Sequence, residues 1–231
     1  ARRKRHPKKA RRKKGDKSKN AKMATMVVMY TLKREGKKLL GPINRFVYAS
    51  FAPKEHAFVV ARREANKRGF APGCNKTVQL LTDGDNCLAV YNKKYFPDAI
   101  HTIDVMHIIE KLWKAGECLF REGSAGLKDW VDIQKERLYD GRIHLILDEL
   151  RDRMRSRPSA RPRLRKILRH IEKRVAFMNY RELIAADMEI GTGAVEGAIK
   201  NVIGKRCDHG GMRWIEERAR LCCSLQLRGI E

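Results

Sequence analysis

Three carboxylates and one histidine stand at positions of the sequence where side chains could do chemistry. Glu196 lies in GTGAVEGAIKN, where two glycines and a threonine lead into a helical pattern. Asp83 follows a short apolar run in TDGD, and Asp104 and His107 form a D-x-x-H pattern at a predicted helix start. Carboxylate oxygens are ligands for divalent cations such as Mg²⁺. These carboxylates are therefore candidate metal ligands.

Each of these residues also has an ordinary structural interpretation. If Gly193 is the N-cap, Glu196 is the third helical residue, where it can bond back to the cap and favour the helix dipole. Lys200, four residues later, can pair with it. Asp83 suits a turn as well as the carboxyl end of a strand, and Asp104 suits an N-cap followed by a packed or solvated histidine. A phosphate-binding loop is disfavoured at Glu196, because the pattern lacks G-x-x-x-x-G-K-[ST] and does not follow a strand.

The composition predicts a polyanionic partner. The chain has 231 residues, 52 Lys and Arg against 27 Asp and Glu, and a formal charge of +25, which is typical of nucleic-acid-binding proteins. No apolar run approaches the length of a membrane-spanning helix. The six cysteines form no C-x-x-C and no zinc pattern, so they favour a reduced, intracellular protein without a zinc site.

The elements that must position these residues divide the chain into four predicted regions. Residues 1–22 carry 13 Lys and Arg and predict a flexible basic arm or loop. Residues 23–104 predict a mixed α/β region, residues 105–186 a helical block, and residues 187–231 two closing helices around a DHGGMRW turn.

Turn residues and apolar periodicity set the predicted elements. They are a strand over 24–32, a GKKLLGP turn, a strand over 46–52, a helix from Pro53 to about Arg68, a strand over 78–81, a helix from Asp85 or Asn86 to about Lys94, and a strand over 100–103. In the helical block, apolar residues recur at helical spacing, and RSRPSARPR at 155–163 interrupts them.

Two segments of the sequence resemble the DDE transposases of bacterial insertion sequences. LLTDGDNCLAVYNKKYFPDAIHTIDVMHIIEKLWKAG resembles the family's central segment, with T-D-G, F-P-x-A, a strand and D-x-x-H followed by E-x-L-W. GTGAVEGAIKNVIGKR, with GGMRW and LR further on, resembles its closing segment, although Thr192 stands where serine is usual. The resemblance runs from Met23 to Gly229. It implies a ribonuclease H-like core with a helical insertion.

The resemblance implies a role for each candidate residue. Asp83 matches the second catalytic aspartate and Glu196 the catalytic glutamate, both as metal ligands, while Asp104 and His107 match the accessory D-x-x-H pair. The implied cofactor is Mg²⁺, with Mn²⁺ possible, because two divalent ions between three carboxylates activate a nucleophile and stabilise the leaving oxygen. The implied partner is DNA, both transposon ends and target, in the bacterial cytoplasm at the nucleoid, and a homo-oligomer on DNA is compatible with it. Basic residues near Glu196 are candidates for phosphate contacts: Lys200, Lys205, Arg206 and Arg213.

One expected residue is missing from the family pattern. The first catalytic aspartate of the family lies on a strand ahead of the basic loop, and no such strand precedes Ala1 in this sequence. Asp16 lies in a lysine-rich stretch and is a poor substitute. We therefore expect metal-dependent strand cleavage and transfer to be weak or absent in this chain. The alternative is a non-enzymatic DNA-binding remnant or regulator derived from a transposase. An RNA-binding protein is a weaker alternative, because no aromatic stacking motif is present.

Overall fold

The elements of the protein alternate between strands and helices in the first half and are helical afterwards. A computed structural model describes residues 24–36, 38–201 and 227–228. Within them lie two small sheets, eight α-helices and one 3₁₀ helix. The elements are β1 (Thr25–Glu35), β2 (Lys38–Ser50), α1 (Lys54–Lys67), β3 (Gln79–Thr82), α2 (Asn86–Tyr95), β4 (Ile100–Ile103), α3 (Val105–Gly116), α4 (Ala125–Tyr139), α5 (Ile143–Ser156), α6 (Arg161–Glu172), the 3₁₀ helix Val175–Phe177, α7 (Tyr180–Ala185), α8 (Gly193–Ala198) and β5 (Leu227–Arg228). The predicted mixed α/β class is confirmed.

The first sheet is built on an antiparallel hairpin of β1 and β2, with β5 on the other side of β2. The predicted antiparallel pairing is confirmed, but the predicted GKKLLGP turn is too long, because the hairpin turns between Glu35 and Lys38 and β2 already begins at Lys38. Two register shifts along β1 accommodate the irregular backbone of β2, where Gly41 and Asn44 have positive φ angles. Bulges of this kind hold extra residues within a strand. Pro42 is tolerated because β5 pairs only with residues 46 and 47 of β2.

The second sheet is a parallel pair of β3 and β4, joined by α2. Its register places Thr82 opposite Ile103, so both strands end at the same edge. The predicted strand 78–81 is shifted by one residue, and the predicted strand 100–103 is confirmed. Asp85 caps α2, as one of the two predicted caps, and Asp104 caps α3. Asp83 directly follows β3, and Asp104 directly follows β4.

The helical part of the chain packs around one apolar core. The predicted apolar faces are buried there, including Ile108 and Leu112 of α3, Leu150 of α5 and Leu164 of α6. The predicted interruption within RSRPSARPR is confirmed but shorter than predicted, because α5 ends at Ser156 and α6 begins at Arg161. No strand occurs between α3 and α8 in the described residues. None of the helices that the structure describes combines the length and the apolar character needed to cross a membrane.

The last described helix, α8, packs against the hairpin sheet. Ala198 is buried beside Val47, with Met26 and Val28 packed around them. Residues 199–201 continue the helix in the π-helical form. The predicted basic arm at 1–22 and the DHGGMRW turn lie outside the described residues, as does most of the second closing helix. At 227–228 the predicted all-helical ending is wrong, because these residues form β5. The division into four regions stays a prediction.

Candidate active site

Asp83 lies exposed at the edge where β3 and β4 end. One of its carboxylate oxygens accepts a hydrogen bond from the backbone N–H of Asp85, at 3.1 Å. Neither oxygen has a side-chain partner in the part of the chain that the structure describes. Asp83 is therefore available to a ligand outside the protein.

Its neighbour Asp85 is already occupied. The Asp85 carboxylate accepts from the backbone N–H of Cys87 at 3.1 Å and forms an ion pair with Lys54. The hydrogen bond from Lys54, assisted by that from Cys87, lowers the pKa of Asp85 to about 2. The second aspartate of TDGD thus caps α2 and ties it to α1, and the first is left open.

Asp104 is buried, with 6% of its surface exposed, and is fully bonded. One carboxylate oxygen accepts from the backbone N–H of Met106 at 2.9 Å, and the other accepts from the hydroxyl of Thr192. The backbone N–H of Asp104 donates to the carbonyl of Thr82 at 2.9 Å. Asp104 therefore connects β3, β4 and α3 to the segment that leads into α8.

Glu196 is exposed on α8. Gly193 was predicted as the N-cap, but the cap is Thr192, so Glu196 is the fourth helical residue and its side chain makes no capping bond. The predicted ion pair with Lys200 is also absent, although both residues are exposed and described. Thr192 turns its hydroxyl away from the helix, toward Asp104, and so leaves the end uncapped by a side chain. Four residues of helix, a rise of about 6 Å, separate Glu196 from this contact.

His107 lies half-buried on the first turns of α3, near both aspartates. Burial and the charge of Lys111 lower the pKa of His107, and the carboxylates of Asp83, Glu110 and Asp104 oppose this shift. Its ring lies 5.4 Å from the ring of His170 on α6, centroid to centroid. His107 is therefore a neutral imidazole at pH 7 that can accept or donate a hydrogen bond.

Arg174 fixes the loop that carries Asp83, and the sequence analysis missed it. Its side chain is buried and donates from Nε to the carbonyl of Gly84 at 2.7 Å and from Nη1 to that of His170 at 2.8 Å. Gly84 has a φ of 79°, and a Cβ there would lie 3.1 Å from the Arg174 Nε. Glycine suits this position because it adopts a positive φ readily and has no Cβ to crowd Arg174. A signal was present, because Arg174 follows Ile171 by three residues and so continues the buried stripe of α6 just past the end of the helix.

A cleft of about 970 Å³ separates the two sheets. Consecutive residues line the cleft, from Val27 to Arg34 in β1 and from Val78, just before β3, to Leu81. Because successive side chains of a strand point to opposite faces of its sheet, a cleft lined by consecutive residues lies along the edge of each strand. Ala61 and Ala65 of α1 form one side, and the segment before α8 forms another. No described strand pairs with either edge. The cleft has the form of a place for one more strand.

The structure thus brings Asp83, Asp104 and His107 together at one edge, with Glu196 a helical turn beyond it. The described residues hold no group of three or more His, Cys, Asp or Glu side chains positioned to bind a metal ion. Of the predicted phosphate contacts, Lys200 is exposed on the turn after α8, and Lys205, Arg206 and Arg213 lie outside the described residues. No family model, curated protein or solved structure matches the chain.

Proposed function

We propose that the chain is part of the catalytic domain of a DDE-type DNA transposase, which cleaves DNA strands and transfers them, in the bacterial cytoplasm at the nucleoid. In this proposal Asp83 and Glu196 are two of the three metal-binding carboxylates. The observation that carries it is the hydrogen bond from Thr192 to Asp104. This bond joins the start of α8, and with it Glu196, to the strand edge where Asp83 is exposed.

The donor chemistry fits the proposed cofactor in kind but not in number. Asp83 and Glu196 offer exposed carboxylate oxygens, which Mg²⁺ or Mn²⁺ prefers. Two carboxylates are fewer than the three that the proposed site requires, and the described residues bring no third one to them. Asp83 and Glu196 alone therefore do not complete a two-metal site.

The cleft between β1 and β3 supports a ribonuclease H-like core that lacks one strand. A strand placed there would pair with both free edges and join the two sheets into one. If it ran parallel to β3, its carboxyl end would meet the edge that holds Asp83, because parallel strands end together. An aspartate at that end would supply the third carboxylate. We propose that a segment preceding Ala1 in the full protein provides this strand.

The remaining residues of the site hold other groups in place and do not contact the reacting atoms. Asp104 holds the start of α8 against the strand edge through Thr192, and Arg174 holds the loop of Asp83 through Gly84. His107 is a half-buried imidazole close to the Asp83 carboxylate. In the proposed enzyme it orients that carboxylate or the phosphate beside it.

A cleavage assay on the protein extended by its upstream reading frame tests the proposal. We expect Mn²⁺- or Mg²⁺-dependent cleavage of DNA carrying the element ends, lost by a factor of about 100 or more in Asp83→Asn and Glu196→Gln. Glu122→Gln, at an exposed glutamate of the helical part, is the matched control and should cleave at the wild-type rate. Equal rates for wild type and Glu196→Gln would remove Glu196 from the mechanism.

A non-enzymatic DNA-binding remnant is the second candidate. It is favoured by the formal charge of +25 together with the absence of a three-carboxylate group in the described residues. DNA binding by an extended protein that does not cleave under any divalent cation would select it. An upstream frame that holds a stop codon or encodes no strand ending in aspartate would select it as well.

A further inference from the structure

The charged side chains of the helical part fall into two groups. On α5, each carboxylate forms an ion pair with an arginine: Asp148 with Arg151, Glu149 with Arg137 and Arg153, and Asp152 with Arg155. The only carboxylate of α6, Glu172, pairs with Arg151 of α5. The outward cations of α6 are thereby left without carboxylate partners in the described structure.

These cations form what we call the α6 ridge: Arg165, Lys166, Arg169 and Lys173. All four are exposed, and none has an ion pair in the part of the chain that the structure describes. Arg165, Arg169 and the C-cap residue Lys173, which keeps a helical backbone, are spaced by four residues and lie on one face of α6, about 6 Å apart along its axis. The ridge is a row of positive charge about 12 Å long.

The positive potential of the ridge extends onto α3. Lys111 is half-buried there, and burial together with the charge of Lys114 lowers the pKa of Lys111, to which Arg174 and Lys166 also contribute. Glu110 alone opposes these cations. Cations held this close without enough carboxylates destabilise the folded chain. An anionic ligand would relieve this repulsion.

The chemistry of the ridge favours phosphate over a membrane or a protein partner. The apolar face of α6 is already buried in the core through Leu164, Ile167, Leu168 and Ile171. The ridge therefore has no apolar side to insert into lipid. None of the exposed large hydrophobic residues of the described chain lies on α6, and protein interfaces depend on such anchors. Two guanidinium groups and two ammonium groups in a row suit phosphodiester oxygens.

The ridge also leads to the candidate active site. Lys173, at its carboxyl end, is followed directly by Arg174, whose Nε bonds to the carbonyl of Gly84 beside Asp83. A phosphate backbone lying along the ridge would thus pass the exposed Asp83 carboxylate. We propose that the α6 ridge binds the backbone of duplex DNA and guides it toward Asp83, an inference that rests on the proposed function and adds a binding surface to it.

The test compares two triple variants of the full chain that lose the same charge. Arg165→Gln, Arg169→Gln and Lys173→Gln remove the three ridge cations that share one face and leave Lys166 in place. Arg142→Gln, Arg155→Gln and Lys33→Gln remove three exposed cations that are each paired with a carboxylate. Binding of a 20-base-pair duplex is measured by fluorescence anisotropy over a range of salt concentrations, and both variants are checked for wild-type melting.

We expect the ridge variant to bind about ten- to a hundredfold more weakly near 100 mM salt. The slope of log K against log salt should become shallower by about 2.7, since each lost phosphate contact removes about 0.9. The paired-cation variant should stay within about threefold of wild type. Arg165→Lys with Arg169→Lys keeps the charge and should keep the slope, which guards against loss of binding through misfolding.

Three outcomes would overturn the inference. Equal losses in the two triple variants would show that net charge alone is responsible. Unchanged binding in the ridge variant, while wild type binds DNA, would remove the ridge and leave the proposed function standing. No binding of DNA by wild type, or tighter binding to anionic vesicles than to DNA, would overturn the ridge and the proposed DNA partner together.

Discussion

Asp83 and Asp104 follow the two strands of the same parallel pair, yet their surroundings are opposite. Both come directly after a short apolar strand, and each precedes a helix or its cap. Asp104 is buried and accepts from a backbone N–H and a hydroxyl, whereas Asp83 is exposed and accepts one backbone N–H. A buried carboxylate with its oxygens bonded serves the fold, and an open one can serve a ligand. The pair thus separates an aspartate bound into the fold from one that is open to a ligand.

The largest expected effect is the difference in stability between the alanine variants of these two residues. Asp104→Ala removes the cap of α3 and leaves the Thr192 hydroxyl without its acceptor, so the free energy of unfolding should fall by about 2–4 kcal/mol. Asp83→Ala should change it by less than about 0.5 kcal/mol, as is usual for exposed sites. Urea denaturation followed by circular dichroism measures both. Similar losses in the two variants would contradict the comparison.

The next effect concerns the loop that keeps Asp83 in place. Arg174→Met should lower the free energy of unfolding by about 2–3 kcal/mol, because the carbonyls of Gly84 and His170 lose a charged donor. Arg163→Met, at an exposed arginine of α6, the helix that ends just before Arg174, is the control and should lie within about 0.5 kcal/mol of wild type. If both variants unfold at the same urea concentration, the exposure of Asp83 does not depend on Arg174.

A smaller effect isolates the hydroxyl that joins Asp104 to α8. Thr192→Val keeps the shape of the side chain and removes the donor, so we expect a loss of about 1–2 kcal/mol in the free energy of unfolding. Thr192→Ser keeps the donor and should retain most of the stability. Thermal and urea denaturation of the two variants measure this. A Val variant as stable as the Ser variant would show that the hydroxyl does not hold the start of α8.

The difference between Asp83 and Asp104 shows where sequence reasoning succeeds and where it stops. The caps at Asp85 and Asp104, the start of α1 after Pro53 and the bounds of β4 depend on residues close in the chain, and these predictions are confirmed. The sequence pattern around Asp83 and Asp104 is nearly the same, however. Their burial depends on partners far away in the chain.

Those distant partners leave only weak local signals. Thr192 is 88 residues from Asp104, and Arg174 is 90 residues from Gly84. Periodicity can show that Arg174 continues a buried stripe, but the carbonyl that accepts its bond belongs to Gly84, in the loop after β3 and far away in the chain. The length of β2 was missed for a related reason, since Gly41 and Asn44 look like turn residues until the partner strand shows them to be bulges.

The smallest expected effect is a pH dependence of the free energy of unfolding, caused by His170 on the Asp83 side of the site. Burial, with the charges of Arg174, Lys111 and His107, lowers the pKa of His170 to about 4. The unfolded chain binds a proton at this residue below about pH 6.5, while the folded chain stays neutral until about pH 4. The contribution of His170 is therefore constant above pH 6.5, and stability is lost as the pH falls from there toward 4.

Urea midpoints at pH 7, 6 and 5 measure this loss. His170→Gln should weaken the decline, because the substituted side chain does not titrate. Part of the decline should remain, since burial also lowers the pKa of His101 and His107. His144→Gln, at an exposed histidine of α5, should follow wild type. A decline in His170→Gln as steep as in wild type would mean that folding does not lower the pKa of His170.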